Sequence, residues 1–141
     1  MIRNTLTIAF GVSILTAGCS LFSDSIELDF DFTEQTPGQV VEPLFDPSTI
    51  SSGQIIFAGQ LNTPVPCYRL ISELDDRGNA LTLEIRATRS TSAACGTEVG
   101  RFIYSGAIRN LNPGTYALRV RLIYDVSDWP PIEFNHSLNV R

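Results

Sequence analysis

"ALTLEIRAT", Ala80 to Thr88, alternates without a break. Leu81, Leu83, Ile85 and Ala87 fall on one side, and Thr82, Glu84, Arg86 and Thr88 on the other. A period of two is the signature of a strand with one buried face; a helix would repeat its apolar residues every three or four positions. Just before it, "DDRGN" (Asp75–Asn79) supplies Gly and Asn for a hairpin turn, and "CYRLISEL" (Cys67–Leu74) supplies the partner strand. The same alternation recurs outward from this hairpin. "IELDFDF" (Ile26–Phe32) sets Ile26, Leu28, Phe30 and Phe32 against acids, and "TYALRVRLIY" (Thr115–Tyr124) sets Tyr116, Leu118, Val120, Leu122 and Tyr124 against Arg119 and Arg121. "QIIFAG" (Gln54–Gly59), "RFIYSGAIRNL" (Arg101–Leu111) and "IEFNHSLNV" (Ile132–Val140) complete about seven strands. That number predicts an all-β antiparallel sandwich. Pro37, Pro43 and Pro47 read as an irregular connection between the first two strands.

"LNPGTYALRV", Leu111 to Val120, resembles the turn and strand that recur in immunoglobulin-like and fibronectin-like bacterial domains. The resemblance implies a single immunoglobulin-like sandwich, with a turn at Pro113-Gly114. The Tyr116 ring would sit in the core and its hydroxyl would bond backbone near Leu111, as in a tyrosine corner. Such folds host many functions, so no functional residue is carried over.

The 141 residues suffice for one domain with its own core. With 43% apolar and 18% charged residues the chain is ordinary globular material rather than a disordered one. Net charge is −5, from ten Arg, no Lys and fifteen acids, which argues against nucleic acid as a partner because phosphate contacts need a clustered positive field. The imbalance lies early: seven acids and no base stand between Ser20 and Ile50, whereas nine Arg face eight acids from Ser51 onward.

The first residues read as a targeting leader. Arg3 provides a positive start, and Leu6 to Ala17 form an apolar run too short to cross a bilayer as a helix, which takes about twenty residues. The run ends in "TAGC", Thr16 to Cys19, which resembles a bacterial lipobox, with Thr16 where Leu is usual and Leu15 one place earlier. The resemblance covers residues 1–20. It implies that the Cys19 thiol takes up a diacylglyceryl group and that residues 1–18 are removed as a signal peptide. Fatty-acyl chains such as palmitate would then hold the protein to a membrane. Residues 19–25 would be the lipidated terminus and spacer, and 26–141 the sandwich. Ser20, in place of the Asp that retains some lipoproteins at the inner membrane, points to the outer membrane.

With Cys19 assigned to lipid, Cys67 and Cys95 remain as an even pair in an oxidising compartment, where a disulfide is expected. A metal or redox role is the competing reading, and the pair lacks the C-x-x-C spacing that would support it.

Few residues invite chemistry. His136 is the only histidine, no nucleophile is spaced to serve it, and an edge-strand residue is the plainer reading. Asp24, Glu27, Asp29, Asp31 and Glu34 lack the spacing of a calcium loop and fit the solvent side of a strand; Asp125 and Asp128 offer no better calcium motif. Arg86, Arg119 and Arg121 would form a positive recognition patch if their strands share a sheet, or a solvated face paired with Glu84. Trp129, in "DWPP" (Asp128–Pro131), is either an exposed loop anchor for a partner or a ring tucked under the sandwich. Gly-rich phosphate loops and zinc spacings are absent from the sequence, so no catalytic residue, cofactor or metal is assigned.

The expectation is a lipid-anchored envelope protein acting as a non-enzymatic binding or structural module toward a protein or other envelope partner. The alternatives are an accessory subunit of an envelope enzyme, or an envelope protease inhibitor presenting the loop over 89–100.

Overall fold

The computed structural model describes residues 25–50, 52–90 and 94–141. The leader, Cys19 and the spacer up to Asp24 lie outside the described residues. Eight strands follow in order: β1 (Glu27–Glu34), β2 (Leu44–Ile50), β3 (Gln54–Thr63), β4 (Tyr68–Arg77), β5 (Ala80–Arg89), β6 (Gly100–Arg109), β7 (Gly114–Tyr124) and β8 (Ile132–Val140). They form two four-stranded sheets, β1-β6-β3-β2 and β4-β5-β7-β8, packed face to face as an all-β sandwich.

Two features correct the sequence reading. The region of Pro43 and Pro47 is not wholly irregular, because Leu44–Ile50 pairs with β3 as an eighth strand. Proline is tolerated there because β2 lies at a sheet edge, where one side of the strand bonds no neighbour. The sheets are also not wholly antiparallel, since β5 and β7 pair in parallel. The cause is the route of the chain: after β5 it crosses to the other sheet, runs back as β6, and returns as β7 in the direction of β5. Three-strand paths of this kind impose a parallel neighbour.

The alternating residues meet as their period requires. The first sheet turns Phe30, Phe45, Phe57, Phe102 and Tyr104 inward, and the second turns in Leu81, Leu83, Ile85, Leu118, Val120 and Leu122. Phe45 and Phe57 stack with ring centroids 5.2 Å apart, within the range where aromatic pairs attract. Two glycines make room for the rings: Gly59 lies directly across from Tyr104, and Gly106 from Phe57. The expected tyrosine corner is present. Tyr116 is buried, and its hydroxyl donates to the Asn112 carbonyl at 2.9 Å, tying β7 to the turn that launches it.

Chain direction gives the sandwich two distinct ends. At the entry end, Asn110 donates to the Ser25 carbonyl, Leu111 N–H to Gly53 O, and Gly53 N–H to Arg141 O. The far end carries the close of β1, β3, β5 and β7 and the start of β2, β4, β6 and β8. There Asp125 acts as a clasp: one carboxylate oxygen accepts from the Tyr68 hydroxyl at 2.9 Å and the other from the Arg89 N–H at 2.9 Å.

The buried tyrosines tie stability to alkaline pH. Burial raises Tyr124 to about 12; burial and then the bond to Asp125 raise Tyr68 to about 12. Tyr104 is pushed higher still, by burial and then by the neighbouring Tyr124. A folded-state value above the unfolded one means the protonated phenol favours the fold, so this stabilisation is complete below pH ~10 and fades as pH rises toward 12. The denaturant midpoint is expected to fall across that window, with tyrosinate absorbance lagging that of free tyrosine. Tyrosinate absorbance that rises with the midpoint of free tyrosine in a still-folded protein would contradict these placements.

Candidate functional site

The far end of the sandwich carries an apolar cleft of about 390 Å³. Trp129 forms one wall in the β7–β8 loop, where its N–H donates to the Val126 carbonyl and closes the turn. Its ring meets Tyr124 edge to face at 5.2 Å. Thus Trp129 is half-buried, one face supported from within and the remainder turned to the cleft. Val40, Val41 and Pro43 form the opposite lip, with Val99 and Ile132 between. Val40 is 75% exposed, the largest exposure of any large apolar side chain described, so the lip is an unsatisfied apolar surface.

The lip is held in place by a buried polar residue, Asn62 of β3. Its side-chain oxygen accepts from the Val41 N–H at 2.6 Å, and its amide donates to Gln39 O at 3.0 Å and Gly100 O at 2.8 Å. A buried amide with its groups satisfied is a rigid staple for the irregular chain over 35–43. The same end carries the Cys67–Cys95 disulfide, with Cα atoms 5.5 Å apart. Closing a loop of this length contributes about 3.5 kcal/mol by the chain-entropy account. Residues 91–93 of the loop considered for protease inhibition lie outside the described residues.

The three arginines singled out in the sequence do share a face. Arg86 of β5 and Arg119 and Arg121 of β7 project from the outer side of the second sheet. They do not stand as a free positive patch, because acids interleave with them. Arg119 meets Glu133 at 2.7 Å, Arg121 meets Glu133 at 3.2 Å and Glu84 at 3.8 Å, and Arg86 meets Glu84 at 3.4 Å. The hydrogen bond from Arg119, reinforced by the charges of both arginines, holds Glu133 below its usual range. Such an exposed network is a solvated face, screened by water and salt, that adds little to stability.

His136 faces inward from β8 at the seam with β2, its ring 5.7 Å from Phe45. Its Nε2 is buried without a hydrogen-bond partner among the described residues. The acids of β1 alternate on the solvent side, and Asp29 pairs with Arg109 at 2.8 Å. Among the described residues no group of three or more His, Cys, Asp or Glu is arranged to hold a metal ion.

Sequence reasoning singled out Trp129 but missed its surroundings. Tyr124 read only as core, and Val40, Val41 and Asn62 carried no signal beyond an apolar pair among prolines. No protein family, curated protein or solved structure matches the chain.

Proposed function

We propose that the chain is a bacterial envelope lipoprotein, anchored through lipid on Cys19 and directed by Ser20 to the outer membrane, acting as a binding module. Its Trp129 cleft engages a partner away from the membrane. The observation that carries this reading is polarity along the strands. The chain enters at Ser25, beside Asn110, while the cleft opens where β1 ends. The eight residues of β1 separate the two ends by roughly 25 Å at ~3.3 Å per residue. A tether at one end and an apolar aromatic cleft at the other suit presentation to a protein or other envelope component. The binding reading leaves His136 as a packing residue, its ring against Phe45 and its Nε2 without a hydrogen-bond partner among the described residues.

The test places a photo-crosslinking residue in cells at Val40, on the cleft lip, and separately at Thr115, exposed near the entry end. A discrete adduct from Val40 that disappears with Trp129→Ala is expected, with none from Thr115. An adduct unaffected by Trp129→Ala, or the absence of one at Val40, contradicts the reading.

A further inference from the structure

The two outer faces of the sandwich differ in kind. The second sheet's face carries the ion-pair network of Arg86, Arg119 and Arg121 with Glu84 and Glu133, beside one exposed large apolar residue, Ile71. The first sheet's face carries four exposed large apolar residues, Leu44, Ile50, Ile56 and Ile103, at 37 to 50% exposure. Strand register arranges it further. One row across all four strands reads Asp31, Ser105, Ala58, Asp46, so two small residues sit between two carboxylates. Ile103 and Leu44 rise on one side of this row and Ile56 on the other. The result is a groove of about 400 Å³ crossing the strands, with a small-residue floor, Ile103 and Leu44 as its apolar wall and an acid at each mouth, while Ile56 stands outside it.

Neither acid is neutralised. Asp31 accepts only the N–H of adjacent Phe32, and Asp46 has no partner among the described residues. Among the described residues no Arg lies within ion-pair distance of either one. Glu27 extends the negative edge along β1, whereas Asp29 is paired with Arg109; Arg101 and Arg109 are the bases on this face among the described residues.

We infer that this groove docks an extended protein segment of the pattern basic–x–apolar–x–basic. The spacing follows from the sheet. Three strand intervals of ~4.8 Å set the mouths about 14 Å apart, and four residues of extended chain at ~3.4 Å also span about 14 Å. In such a segment the two basic side chains and the apolar one between them point the same way. The apolar residue meets Ala58 and the wall formed by Ile103 and Leu44, and each base meets one carboxylate. Charge complementarity selects this occupant: a second copy would bring acids against acids, and an anionic lipid surface would be repelled. The inference is independent of the Trp129 cleft and of the anchor.

The test uses the full chain in detergent and the synthetic peptide Ser-Lys-Ser-Leu-Ser-Lys-Ser, followed by amide chemical shifts. Saturable shifts centred on Ala58 and Ser105 are expected. Asp31→Asn and Asp46→Asn should each weaken binding about three- to fivefold, as an exposed ion pair implies. Ala58→Arg, which fills the floor with a cation, should abolish it. All three positions are exposed, so folding is not at stake. Shifts centred elsewhere, equal binding of a peptide with Glu for both Lys, or equal binding when the two Lys are adjacent would each overturn the assignment. Self-association through this face, removed by Ala58→Arg, would overturn it in favour of a second copy.

Discussion

Gly59→Ala is expected to lower the unfolding free energy by about 3 kcal/mol or more, enough to leave a small domain largely unfolded at moderate temperature. A methyl group at that position would lie 2.2 Å from the Leu44 carbonyl oxygen and 2.3 Å from the Tyr104 ring and hydroxyl. Neither neighbour can yield cheaply. Leu44 is backbone on the paired strand, and its carbonyl accepts the Tyr104 hydroxyl at 2.7 Å. Moving the ring would disturb its stacking on Phe30 and expose a buried phenol. Gly106→Ala meets the same obstacle from the Asp29 carbonyl at 2.3 Å and the Phe57 ring at 2.4 Å. Gly78 is the control. It turns the β4–β5 hairpin at φ +66 with nothing within 4 Å, so Gly78→Asn, which tolerates that conformation, should cost under ~1 kcal/mol. Urea titrations followed by circular dichroism separate the cases. A Gly59→Ala midpoint close to that of Gly78→Asn would show that the rings are not packed as described.

These glycines mark the boundary of what the sequence discloses. Alternation in Ala80–Thr88, Thr115–Tyr124 and Ile26–Phe32 exposes strand and face together, because a period of two is a local property. Tyr116 and its corner were legible for the same reason, the turn lying four residues upstream of the ring. Pro47 hid β2, since proline marks a break unless the strand is known to lie at an edge, and edges are defined only by pairing. The parallel match of β5 with β7 depends on β6 leaving for the other sheet, a choice no window of residues contains. Arg86, Arg119 and Arg121 could be assigned to outward positions with Glu84 among them, but the neutralisation of Arg119 and Arg121 by Glu133 arises from β8 arriving alongside β7. The groove row Asp31, Ser105, Ala58 and Asp46 draws on four strands and becomes visible only once their register is fixed. The cleft is intermediate: Trp129 beside prolines announces itself, whereas Val40 and Val41 reach it through the buried Asn62.

The second large effect concerns the anchor. On the proposed anchor, in which the thiol is the lipid acceptor and leader removal follows lipidation, Cys19→Ala is expected to reduce incorporation of labelled fatty acid to background and to block removal of the leader. The consequence for retention is correspondingly large. Acyl burial contributes roughly 0.8 kcal/mol per CH₂; one chain holds a protein only marginally, while two or more hold it firmly. Cys67→Ala with Cys95→Ala should leave labelling intact, since those residues lie in the sandwich. Undiminished label in the Cys19→Ala protein would remove the basis for the anchor, whereas the sandwich and its two surfaces would stand.

The intact mass of the protein extracted from membranes tests the placement most directly. Removal of 18 of the 141 residues leaves 123, beginning at Cys19. The account predicts that mass plus a diacylglyceryl group and any further acyl chain, rising by two hydrogens on reduction as the Cys67–Cys95 bond opens. A species beginning elsewhere, or one with an unmodified Cys19, contradicts it.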